Sequence, residues 1–291
     1  MMELLYISKW GGTFNLTDNE HMWLINADGL TKATTSLSTI AIGGVDGDMI
    51  NSVRAQPRGI VLDLRAKRHQ NVEQAKRAVL EIVKLKQTCT LKWTQNNRVW
   101  TISGIVDSIE MPRFNNKVTM QIGIHCSQPY WEDLNEIISE INEAKPLHYF
   151  TDDPLDMLFF PEDGIPLGEL DTSRTRTFFN AGDVAVGMII EVLAYARVVN
   201  PIIHDQNGKF FGVGYGTGDF RFIMEAGDKL VINTNAGQKN VTYNGESVLN
   251  AVRPQSTWLQ FQAGENEYSI SDDSGSVTNM TFNLVYRQRF I

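Results

Sequence analysis

Almost every apolar run in this chain alternates with polar residues at a period of two, and one stretch alone holds convincing helical spacing. A period of two places successive side chains on opposite faces of a strand, so the chain must build sheets with a buried face. In "RGIVLDLRA" the buried set is Ile60, Leu62 and Leu64, and in "TCTLKW" it is Cys89, Leu91 and Trp93. In "VTMQIGIHC" it is Val118, Met120, Ile122, Ile124 and Cys126. Asn96 and Asn97 tolerate positive φ, which predicts a tight hairpin with Trp93 and Trp100 on its two strands. The helix is expected over "NVEQAKRAVLEIVKLK", with Val72, Ala75, Val79, Ile82 and Val83 on one stripe. Asn71 can cap its first turn, and Gln74 stands where a capping box wants it.

At 291 residues the chain has room for two domains of roughly 130 to 150 residues, each able to bury a core. Residues 1–131 read as a β-sandwich or barrel-like domain carrying that helix. Within it, residues 33–56 show little apolar periodicity and contain "IGGVDGD" followed by Arg54 and Arg58. A loop of that length inside a compact domain is unusual. It either clasps a neighbouring subunit or is simply mobile. Residues 132–172 read as a linker. "EDLNEIISEINEA" predicts a short acidic helix with Leu134, Ile137, Ile138 and Ile141 at helical spacing, and Pro146, Pro154, Pro161 and Pro166 punctuate the rest of the linker. Residues 173–291 are strands and turns to the end, with Asn207-Gly208, Gly227-Asp228, Asn244-Gly245 and Gly264 as turn signals. That spacing predicts a second β-sandwich, and the fold class is mainly β.

A formal charge of −8 argues against a protein that wraps nucleic acid through its phosphates. The charge is unevenly spread: residues 54–92 hold ten Lys/Arg against Asp63, Glu73 and Glu81, while residues 129–171 hold twelve Asp/Glu against Lys145. These are either two solvated faces or complementary surfaces that meet between copies, head to tail. No run approaches the ~18 apolar residues of a membrane span. Met1–Trp10 lacks the pattern of a secretion signal, so synthesis in the cytosol is expected. Cys89 and Cys126 stand at strand positions and read as buried thiols.

Catalytic signals are absent from the pattern. The five histidines are scattered singly, and no serine sits in a G-x-S-x-G turn. His148 lies near Asp152, Asp153 and Asp156, a grouping that suggests a metal or an acid–base pair but is read as an exposed acidic linker. "GVGYGTGDF" fails as a dinucleotide fingerprint, because its third glycine would fall on Thr217 and no helix comes after it. No catalytic residue, cofactor or metal is assigned. Tyr215, Phe220, Tyr243, Trp258 and Tyr268 are the rings able to serve a sugar. Trp258 is assigned to packing, and Tyr215, inside the glycine run, is the candidate carbohydrate contact.

Two features together resemble the distal tail protein family of long-tailed, non-contractile bacteriophages and their prophages. One is the order of strands, single helix, hairpin and a last strand ending in "QPYWED". The other is the series "GDVAVGMIIEV", "NPIIHDQNGKFF", "EAGDKLVINTNAGQKNVTYNG", "STWLQFQAGENEYSI" and "VTNMTFNLVYRQRF". Its marks are Gly227-Asp228, Leu230-Val231-Ile232 and Asn244-Gly245, then Ser256, Trp258, Gly264 and Asn266. The resemblance implies a non-enzymatic structural protein of the virion tail tip, assembled in the host cytoplasm. It implies a homo-hexameric ring built by the N-terminal domains, a long loop embracing the neighbour, and a galectin-like second domain projecting outward. The ring would join the tail tube protein to a tail-associated lysin or fibre protein, and in some members to a receptor-binding protein or host glycans. DNA would pass through an acidic lumen. On this reading Pro129, Tyr130 and Trp131 form a latch that closes the ring-forming domain. The alternative function is a carbohydrate-binding adhesion module acting through the second sandwich.

Overall fold

The structure is a computed structural model that describes residues 2–44, 46–68, 71–112, 119–140, 144–146, 168–170, 175–273 and 279–291. It divides into two compact units, residues 1–135 with 289–291, and residues 136–288. Mainly strands, with one α-helix among the described residues, they give the mainly-β class that the period-two pattern demands.

The first unit contains β1 (Met2–Ser8), β2 (Thr13–Asn15), β3 (Met22–Asp28), β4 (Thr35–Ala41), β5 (Asp48–Ala55), β6 (Arg58–Ala66), α1 (Val72–Ile82), β7 (Thr88–Gln95), β8 (Arg98–Glu110), β9 (Met120–Cys126) and β10 (Trp131–Asp133). Its main sheet runs in the order β2-β1-β7-β8-β9-β6-β3, all pairs antiparallel, while β4 and β5 pair only with each other. Ile60, Leu62 and Leu64, Cys89 and Leu91, and Met120, Ile122, Ile124 and Cys126 are buried together, as their alternation requires. The hairpin forms as read: Trp93 pairs with Trp100, and Asn96 and Asn97 take φ of 50° and 64°. α1 starts at the expected cap, where the Asn71 side chain accepts from the Glu73 N–H, and it buries Ala75 and Val79 in the same core. It stops at Ile82 and not at Lys86. Val83 is already extended, and Lys86, at φ 63°, donates its N–H to Val106 O, so β8 captures the end of the stripe.

The second unit continues with β11 (Ile137–Glu140), β12 (Ala144–Pro146), β13 (Gly168–Leu170), β14 (Thr175–Asn180), β15 (Ile189–Ala194), β16 (Val198–Val199), β17 (Ile202–Asp205), β18 (Phe210–Gly212), β19 (Ile223–Met224), β20 (Lys229–Asn233), β21 (Asn240–Tyr243), β22 (Glu246–Ser247), β23 (Gly264–Ser271) and β24 (Met280–Tyr286). Two sheets, β11-β24-β15-β20-β21-β22 and β14-β23-β17-β18, contribute to one buried cluster that includes Ile190, Ile232, Phe282, Ile203, Phe211 and Tyr268. Two sheets around one shared core make a sandwich. The chain then ends in β25 (Arg289–Phe290), which pairs with β10 of the first unit.

These contacts change two sequence expectations. The acidic helix over residues 132–144 gives way, where described, to two short strands joined by a bend at residues 134–136: β10 pairs with β8 and β25, and β11 pairs with β24, Ile137 opposite Tyr286. Helical spacing of its isoleucines was coincidental, since β-branched residues suit a strand that finds a partner. The boundaries expected at 131/132 and 172/173, with the second domain running to 291, also shift. The second unit begins at Glu136, and residues 289–291 return to the first. His148, Asp152, Asp153, Asp156, Pro154, Pro161 and Pro166 lie outside the described residues.

At its start the glycine run forms the wall of a buried polar knot. Asn200 is fully buried at φ 52°; its amide donates to Gly216 O and Asp273 Oδ2, and its Oδ1 accepts from the Phe222 N–H. Gly214 must be glycine here, because a Cβ would stand 2.4 Å from Asn200 Oδ1. Asp228 forms a second knot, accepting from Tyr243 OH, Asn244 Nδ2 and the Glu225 N–H. Those donors hold its carboxyl below the usual range, and the same contact pushes Tyr243 up to about 12. The Gly227-Asp228 and Asn244-Gly245 motifs are therefore turns tied to each other. Replacing Asn200 by Ala strands the Phe222 N–H and strains the backbone. Denaturant unfolding is expected to show a loss of about 1–3 kcal/mol.

Candidate functional site

The segment 33–56, expected without structure, is an antiparallel ribbon. β4 and β5 pair from Thr35 opposite Ala55 to Ala41 opposite Asp48, with a bulge after Ser38, and the Gln56 N–H to Thr34 O bond closes the neck. Thr, Ile and Val carry strand propensity, but the burial alternation that reveals a strand is missing because both faces stay exposed among the described residues. Leu37 sits opposite Val53, and Ile40 opposite Met49. Leu37 and Ile40 are three residues apart on one strand, so the two pairs point to opposite faces. These four with Ile42 and Ile50 are each 48% to 61% exposed. An isolated two-stranded ribbon is marginal in water, and apolar side chains on both its faces make this arm a candidate interaction surface. Asp46 and Asp48 stand at its tip, and Arg54 is its lone base, near the neck.

The arm grows from a rigid root. Gly29, at φ 83°, passes so close to β6 that a Cβ would fall 2.0 Å from Gly59 O. The next carbonyl, Leu30 O, accepts from two buried side chains: Arg58 Nη1, at the start of β6, and Trp131 Nε1 at 2.9 Å. Arg58 is 3% exposed, and its Nε and Nη2 meet no acceptor. Burial lowers its pKa, opposed by the nearby Cys126. Trp131 also meets the Trp93 ring edge-on at 5.4 Å, Trp93 meets Trp100 at 5.5 Å, and Phe290 of β25 closes the row against Trp100. An Arg289–Glu132 ion pair at 2.7 Å fastens β25 to β10 beside it. Thus Trp131 is buried, Pro129 is buried and Tyr130 half-buried. Sequence reasoning singled out these three, but it missed Arg58, Leu30 and the returning tail.

The other candidates are distributed elsewhere. Tyr215 is half-buried and stacks on Phe220 at 4.9 Å; Phe220, at 64% exposure, is the ring that meets water. Trp258 packs on Phe211 at 4.8 Å, Tyr243 packs on Phe222, and Tyr268 is buried. Cys89 and Cys126 are free and buried, and burial pushes their thiols up to about 11 and about 12, which keeps them protonated near neutrality. Ser256 Oγ accepts the Gly212 N–H, and the Asn266 side chain closes the turn from Gln262 to Gly264. The motif residues behind the family resemblance thus hold turns and do not converge on a cleft.

Residues 181–290 match the family of the siphovirus-type tail component, C-terminal domain. A search of curated proteins found no match. Among solved structures, the chain is similar to the SPP1 Dit (gp 19.1) protein, described as a paradigm of hub adsorption apparatus in Gram-positive infecting phages. The TM-score is 0.67 at 12% identity, with 100% of each chain covered. A chain of the phage P2 baseplate in its activated conformation with calcium aligns over 100% of both chains at a TM-score of 0.46 and 10% identity, a likeness too low to bear weight. The resemblance to distal tail proteins is borne out, by family over the C-terminal domain and by fold over the whole chain.

Truncating Trp131 to Ala removes a buried ring and one of two donors to Leu30 O. Unfolding in denaturant is expected to show a loss of about 3–5 kcal/mol. The milder Trp131→Phe, which keeps most of the packing, is expected to cost roughly 1–2 kcal/mol.

Proposed function

We propose that this chain, a siphovirus-type tail component in its C-terminal domain and a Dit in its fold, is the building block of a hub at the tip of a phage tail. Six copies close a ring through their first units, each arm lying against its neighbour, and the ring joins the tail tube to the adhesion or lysis proteins beyond it. DNA passes through the opening, and the net charge of −8 disfavours its sticking to the wall. The protein works by shape and has no catalytic role. Pro129, Tyr130 and Trp131 serve as the latch that keeps the ring-forming unit closed around the arm's root.

The observation that carries this reading is the arm. A ribbon with Leu37 and Val53 on one face and Ile40 and Met49 on the other has no reason to persist unless other copies cover it. A building block that lends an arm to the next copy makes a head-to-tail contact, and such contacts close into rings when the rotation permits.

A second reading, adhesion to host cell-wall glycans through the second unit, is favoured by one observation. Phe220 lies nearly parallel on Tyr215, at 9°, and offers its outer face to a sugar ring. The sugar would then touch Phe220 first and Tyr215 second.

Light scattering on the eluting protein separates the two. The intact chain is expected to run at six times the monomer mass. A variant with residues 35–55 replaced by a short glycine–serine turn is expected to stay folded and run as a monomer. An intact chain that is monomeric at every concentration overturns the hub reading. Retention on host cell walls that is lost in Phe220→Ala promotes the second.

A further inference from the structure

The ring reading leaves open where on the neighbour the arm lies, and the surface chemistry of the first unit answers it. In a head-to-tail contact the giving and receiving patches are different surfaces. The arm leaves the main sheet between β3 and β6, the last two strands of the order β2-β1-β7-β8-β9-β6-β3. At the other end of that order lies Trp10, 80% exposed on the turn from β1 to β2, with Lys9 Nζ 5.6 Å from its ring. That turn sits against the end of α1, since the Cβ position of Gly12 is 3.5 Å from Ile82 Cγ2. Ser8, just before it, pairs with Cys89 of β7. The connection from α1 to β7 therefore runs alongside, and it presents Leu85, 51% exposed, between exposed Lys84 and Lys86. Two exposed acids stand at its edge: Glu81 on the last turn of α1, and Asp107, next to Val106, whose carbonyl accepts from the Lys86 N–H.

We infer that this patch, Trp10 and Leu85 rimmed by Lys9, Lys84 and Lys86, is the seat on one copy for the arm tip of the next copy of this chain. The two surfaces complement each other in both respects. The tip brings Ile42, Met49 and Ile50 with Asp46 and Asp48 and no base; the seat brings an exposed indole and a leucine with three lysines. Apolar surface meets apolar surface at the centre, and opposite charges meet at the rim, where they set register and speed encounter. The inference rests on the ring reading and adds to it which surface receives the arm. It also gives the lysine-rich end of residues 54–92 a partner in the acids of the arm, in place of residues 129–171.

Charge exchange tests it in the full-length chain. Asp46→Lys with Asp48→Lys, and separately Lys84→Glu with Lys86→Glu, are each expected to raise the concentration for half-assembly by about tenfold or more. Carrying all four changes in one chain is expected to restore assembly to within about threefold of the original. Trp10→Ser is expected to weaken assembly as much as either pair, with an unchanged melting temperature of the unassembled chain, because Trp10 buries little in its own unit. If the unaltered chain forms rings and the reversed pairs leave them unchanged, the seat is wrong and the ring stands. If each pair weakens assembly and the four together do not restore it, the seat is wrong as well. An unaltered chain that never assembles removes the ring reading along with the seat.

Discussion

The carbonyl of Leu30 is where the first unit is tied together. Three distant parts of the sequence meet at that one oxygen: the turn after β3, the start of β6 through Arg58, and the entry to β10 through Trp131. A guanidinium buried to this extent is costly unless its donors are used, and two of its nitrogens are left without an acceptor. The charge-assisted bonds from Nη1 to Leu30 O and, longer at 3.4 Å, to Gly29 O hold the group in place, beside the close passage of Gly29 over β6. The arm begins and ends within a few residues of this point, between Leu30 and Arg58. A ribbon anchored at its neck starts from a fixed root, so less ordering entropy would be lost were a partner to cover it.

The row of rings extends that anchoring. Trp131, Trp93, Trp100 and Phe290 join β10, both strands of the Asn96-Asn97 hairpin and the last residues of the chain. The proline and two aromatics after β9 have a purpose in this geometry: Pro129 turns the chain out of β9, and Trp131 drops its indole onto the root of the arm. Tyr130 is only half-buried and contributes less to the closure.

What could be read from the sequence was what one strand records about itself. Ile60, Leu62 and Leu64 announce their buried face, Asn96-Asn97 their turn and Asn71 its cap, because each is decided within a few residues. The arm was hidden for the opposite reason. Its strands stay exposed on both faces among the described residues, so Leu37, Ile40, Ile50 and Val53 follow no alternation that a single sequence would reveal. β11 misled for a related reason, since its pairing partner lies nearly 150 residues away in β24 and helical spacing over so short a run is weak evidence. Arg58 could not be read at all. Nothing in "QPRGI" distinguishes an arginine that enters the core from the exposed Arg54 four residues before it.

The return of Arg289 and Phe290 to β10 makes the second unit an insertion, entered after Asn135 and left before Arg289. A domain threaded this way hangs from two strands, not one. The Glu132–Arg289 pair and the Trp100–Phe290 contact fasten the second of those crossings within the first unit. The same double attachment makes everything between the two crossing points a single insert in the sequence of the first unit.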